Sequence, residues 1–79
     1  MSPTVFRDGP FRFYFFSREE SRIHVHVQAP DGEAKVWLEP EVELAMSVGL
    51  PRHQVNSALA LVKEHEDEIR AAWNAHFRS

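Results

Sequence analysis

Residues 22–40 read RIHVHVQAPDGEAKVWLEP, and the fold turns on how this stretch is read. Two runs rich in β-branched and aromatic residues, Arg22 to Val27 and Ala34 to Glu39, flank the tetrapeptide Ala29-Pro30-Asp31-Gly32. Proline presets φ and glycine accepts positive φ, so the chain reverses there, and the spacing predicts a β-hairpin. Ile23, Val25 and Val27 alternate with Arg22, His24 and His26; Ala34, Val36 and Leu38 alternate with Lys35, Trp37 and Glu39. Period-two alternation sends each set to its own side of a sheet, one apolar and one polar.

Upstream, Phe11 to Phe16 has strand composition and reaches the hairpin through the polar segment Ser17 to Ser21. Both connections are short, so the three strands form an antiparallel meander in sequence order. The first strand adds Phe11, Phe13 and Phe15 to the apolar side, and Arg12, Tyr14 and Phe16 to the other. Downstream, Pro40 stops the third strand. Val42, Leu44, Met46 and Val48 then alternate with Glu41, Glu43, Ala45 and Ser47, which fits a fourth strand, with a short helix as the alternative.

From Pro51 the apolar period changes. Val55, Ala58, Leu59, Val62, Ile69, Trp73 and Phe77 recur at helical spacing, Pro51 suits a first helical turn, and Gly49 precedes it as a hinge. A helix over 51–77 would be roughly 40 Å long at 1.5 Å per residue, whereas a globule of this mass is about 30 Å across. Such a helix overhangs, bends near His65 or packs on another chain. The expected architecture is therefore α+β in a single domain over 1–79. A three to four stranded antiparallel meander, about residues 4–48, packs on a long C-terminal helix, about 51–77.

Composition narrows the function classes. The chain has 79 residues, 43% of them hydrophobic, and no cysteine. Disulfides, thiolate metal sites and thiol nucleophiles are excluded, and a reducing cytoplasm is the expected location. No apolar run approaches a membrane span, so no membrane partner is expected. The net charge of −3 is uneven: residues 1–38 balance, while 39–79 hold four cations against seven anions. An acidic half disfavours broad phosphate binding, which leaves RNA only a local contact.

The candidate binding residues are those of the polar sheet side: Arg12, Tyr14, His24, His26, Lys35 and Trp37. Aromatic rings there can anchor a protein partner or stack on bases, and the cations can meet phosphate or carboxylate. On a strand, His24 and His26 also bring two imidazoles within reach of one metal ion. A third ligand would come from His53, His65, His76 or Glu39, and no spacing fixes it; no metal and no cofactor are expected. His65 lies in Glu64-His65-Glu66-Asp67-Glu68, where a helical zinc pattern fails for want of a second histidine four residues on. Glycines are isolated, and no serine sits in a nucleophile elbow. The alternation further predicts that Val25→Ala destabilises more than His24→Ala.

Several segments together carry a family likeness: Pro3-Thr4-Val5, Phe13-Tyr14-Phe15, His24-Val25-His26-Val27, Ala34 through Pro40, Val62 to His65, and Ala72-Trp73-Asn74. Over nearly its whole length the chain resembles the bacterial family called domain of unknown function 4160. Relatives often carry Pro-Pro-His before the second strand, where this chain has Glu20-Ser21-Arg22. The resemblance implies a small protein found beside a partner gene, and some members are suggested to belong to toxin–antitoxin-like pairs. It transfers no catalytic residue. The functional expectation is a binding or interaction module that forms a homo-oligomer and meets a protein partner encoded nearby. The alternatives are a small metal-independent ribonuclease and a His-based metal-binding protein.

Overall fold

The computed structural model describes residues 4–16 and 21–77. Its elements are β1 (Thr4–Asp8), β2 (Phe11–Tyr14), β3 (His24–Ala29), β4 (Gly32–Trp37), β5 (Glu43–Val48), α1 (Arg52–Glu64) and α2 (Glu66–Phe77). The five strands form one antiparallel sheet in sequence order. The α+β class and the meander agree with the sequence reading. The strand count is higher than the expected three to four, and residues 43–48 settle as strand.

The added strand is β1. Gly9, at φ 56°, and Pro10 form a two-residue loop that lets Asp8 pair with Phe11. Positive φ at the first loop position is what such a tight hairpin requires, and glycine supplies it without steric penalty. A bulge between Thr4 and Phe6 leaves Thr4 opposite Tyr14 and Phe6 opposite Phe13. The Phe6 ring accordingly stacks on Phe13, with centroids 4.2 Å apart.

The apolar side is as the alternation reads it. Phe11, Phe13, Phe15, Ile23, Val25, Val27, Ala34, Val36 and Leu38 are all buried, and Ala58, Val62, Ile69 and Trp73 of the helices complete the same cluster. Arg70 ties α2 to the end of β4 by donating to the Leu38 carbonyl while pairing with Glu66 at 2.9 Å.

A single helix over 51–77 is corrected to two helices that break at His65. That residue sits at φ −104°, ψ 19°, outside helical geometry. Its N–H donates to the Leu61 carbonyl and its own carbonyl accepts from Ile69 N–H, both at 2.9 Å, so few backbone groups are lost at the break. The His65 ring lies 4.2 Å from Phe6 and stacks on it, and its Nδ1 is 2.9 Å from Glu68 Oε1. Each helix is then roughly 20 Å long by its rise per residue, and the molecule measures 36 × 27 × 20 Å. The break removes the overhang that one straight helix would produce. Trp73, on the apolar helical stripe, is 2% exposed and belongs to the core.

One close approach fixes the far end of β5. A Cβ on Gly32 would collide with the Val48 carbonyl, and Gly49, at φ 81°, would collide with the Asp31 carbonyl if it carried one. The β3–β4 turn and the end of β5 therefore meet backbone to backbone, which only glycine permits.

Candidate interaction face

Opposite the helices, the sheet carries a connected set of rings and cations. Register places Tyr14 beside His26, His26 beside Lys35, and His24 beside Trp37. The Tyr14 and His26 rings stack at 5.4 Å, Phe16 lies 4.3 Å from His26, and His24 meets His26 edge-on at 5.1 Å. The Arg12 guanidinium sits 4.5 Å over Tyr14. Its Nε donates to Thr4 Oγ1 at 2.8 Å, and a longer bond of 3.4 Å runs to Gln28. Trp37 holds two cations, with the Arg22 guanidinium 4.0 Å and the Lys35 ammonium 4.4 Å from its centroid. Each such cation–π contact contributes about 0.5 to 1 kcal/mol at an exposed site. Arg22 is further oriented by a 2.7 Å bond to the Glu39 carbonyl and lies 4.0 Å from Glu43.

All six residues singled out from sequence lie in this set, and two of them are not surface groups. His24 is fully buried and Tyr14 nearly so. The reason lies at the strand end. β2 stops at Tyr14, the partner of His26, so β3 has no β2 neighbour at the level of His24. There the His24 ring meets Trp73 of α2 at 5.2 Å and Trp37 at 5.4 Å, while its Nδ1 lies 2.7 Å from the Arg22 carbonyl. His24 thus bridges the helix layer and the open face, and only His26 of the histidine pair is partly exposed.

This burial bears on both chemical alternatives. Among the described residues, no three His, Cys, Asp or Glu side chains group as a metal ion would need. A His24–His26 pair acting together on a phosphodiester would need both imidazoles at the surface, and His24 is enclosed. Base stacking on Trp37 would have to displace Arg22 or Lys35.

The face has an apolar rim that alternation hides. In β5, a bulge between its partners Lys35 and Val36 leaves Ala45 unpaired. Leu44 thereby stays on the helix side opposite Val36, but Met46 falls opposite Lys35 and Val48 opposite Glu33, on the open side. The sequence reading kept Leu44, Met46 and Val48 together; the bulge separates them. Met46 is 43% exposed, Val48 57% and Phe16 44%. Tyr14, Phe16, His26, Lys35 and Met46 line a depression of about 250 Å³ on this face. No sequence signal marks the bulge, because no glycine stands at Ala45.

No helix among the described residues is long and apolar enough to cross a membrane. No curated protein and no solved structure matches the chain. A family model described as Domain of unknown function (DUF4160) matches residues 10–74, and the chain belongs to that family.

Proposed function

We propose that the chain is a protein-interaction module, one half of a toxin–antitoxin-like pair, that receives its partner on the open sheet face. The observation that carries this reading is the apolar rim: Phe16, Met46 and Val48 are exposed beside an ordered array of Tyr14, His26 and Trp37. Apolar and aromatic anchors framed by cations are the composition of the energetic centre of a protein interface. Arg12, Arg22 and Lys35 are held over rings, so they present fixed positive charge to an acidic partner at reduced entropic loss. The acidic half of the chain and the occupied faces of Trp37 favour protein over RNA. The partner is the product of a neighbouring gene, and both proteins act in the cytoplasm.

Co-expression with that product and capture through a tag on this chain tests the reading. Wild-type protein should retain the partner, and the double variant Phe16→Ser, His26→Gln should lose at least tenfold in affinity while its melting temperature stays close to wild type. Undiminished capture by the folded double variant overturns the assignment of this face. Failure of the wild-type chain to capture the neighbouring product overturns the pairing itself.

A further inference from the structure

The outer edge of β5 is an open backbone template: among the described residues no strand pairs with it. Edge strands invite pairing with another chain unless charge, proline or a covering element blocks them. The opposite edge, β1, carries Arg7 and Asp8 within its five residues, whereas β5 is uncharged from Leu44 to Val48. On the helix side of the β5 edge, Leu44 and Ser47 face Arg52, Val55, Asn56 and Leu59 across a groove of about 410 Å³.

We infer that a second copy of the chain occupies this edge, with β5 pairing antiparallel to its counterpart around a twofold axis between Ala45 and Met46. The sheets of two molecules then join into one. Face matching selects this register. Paired residues in an antiparallel ladder point to the same side. Here Glu43 meets Val48, both on the open side, and Leu44 meets Ser47, both on the helix side. The bulge at Ala45 makes this possible, because it reverses the phase of alternation midway along the strand. A register centred on Ser47 also matches faces but leaves Glu43 and Leu44 outside the pairing.

Charge supports the same arrangement. Glu43 opens β5, with Glu41 two residues before it, and Arg52 opens α1 four residues past its end. Arg52 is exposed and makes no ion pair among the described residues. Antiparallel pairing sets the acidic start of each strand at the end of the other copy that leads to Arg52, twice by symmetry. Opposite charges therefore share each end of the ladder, and Glu43 faces an apolar residue instead of its own copy. The Gly32–Gly49 contact holds the end of β5 in place before any encounter, which limits the ordering that association requires. Pairing at the edge leaves Tyr14, Phe16 and His26 of the partner site uncovered, and it seats Met46 and Val48 of the rim beside the second copy.

Sedimentation across a concentration series, from micromolar to millimolar, tests it. Wild type should shift from the 9.2 kDa mass of one chain toward twice that value. Met46→Glu gains an intramolecular neighbour in Lys35 but meets its own copy across the twofold axis, so it should remain monomeric and folded. Met46→Lys should also be monomeric, and an equimolar mixture of the two variants should recover the dimer. A single-chain mass for wild type at millimolar concentration overturns the inference, as does a folded Met46→Glu protein that dimerises like wild type. Should the variants not fold, amide exchange of wild-type β5 decides: slower exchange at high concentration supports pairing, and unchanged exchange overturns it.

Discussion

The two sides of the sheet hold aromatic residues for different ends. On the helix side, Phe13, Phe15 and Trp73 are buried together with aliphatic neighbours, and Phe15 meets Trp73 edge-on at 5.3 Å. On the open side, Tyr14, His26 and Trp37 are layered with Arg12, Lys35 and Arg22. Burial drives the first arrangement through the apolar area removed from water. The second buries Tyr14 but leaves His26 and Trp37 partly exposed, and ring stacking and cation–π contacts hold its groups in fixed positions. Folding accounts for one side fully, and the other keeps apolar area exposed that folding alone would have covered.

Substitutions can break this contrast at graded strength. Trp73→Ala should have the largest effect, about 3 to 5 kcal/mol, since it empties the core and also removes a wall of the His24 site; a melting temperature near wild type would refute the placement of α2. Next come Val25→Ala and His24→Ala, which should lose comparable stability, about 1 to 3 kcal/mol each. Comparable losses replace the ordering that alternation predicts, because both side chains are fully enclosed. A neutral His24→Ala in thermal melts would return that residue to the surface. Smallest are Met46→Ser and Val48→Thr, within about 0.5 kcal/mol of wild type in denaturant titrations. A larger loss at either would mean the rim is structural.

Much of this was legible from the residues. Alternation through Phe11–Phe15, Ile23–Val27 and Ala34–Leu38 assigned the buried side correctly, since a one-residue slip would have exposed the entire set. β1 is not evident in the sequence because Thr4–Asp8 is short and ends in two charges, although Gly9-Pro10 before an aromatic run is a hairpin signal. Length alone leaves a bend near His65 as one of three outcomes for a helix over 51–77, beside an overhang and packing on another chain. The contact found at the break, the Phe6 ring against His65, depends on a strand remote in sequence. Burial of His24 was not legible, because alternation states which way a side chain points and says nothing of where the adjacent strand stops. The six candidate residues cluster as expected, but the rim that extends them depends on the unmarked bulge at Ala45.

That bulge gives the chain an uneven tolerance for changes in length. Ala45 has no partner across the ladder, so β5 is one residue longer than its pairing with β4 requires. Deleting Ala45 leaves Leu44 opposite Val36 and Met46 opposite Lys35, and every side chain keeps its side. Deleting a residue from β3 instead would turn part of that strand over, driving His26 into the core or Val25 out of it. The same one-residue change is therefore absorbed at an edge and ruinous at the centre, and natural variation in length within this sheet should gather at β5.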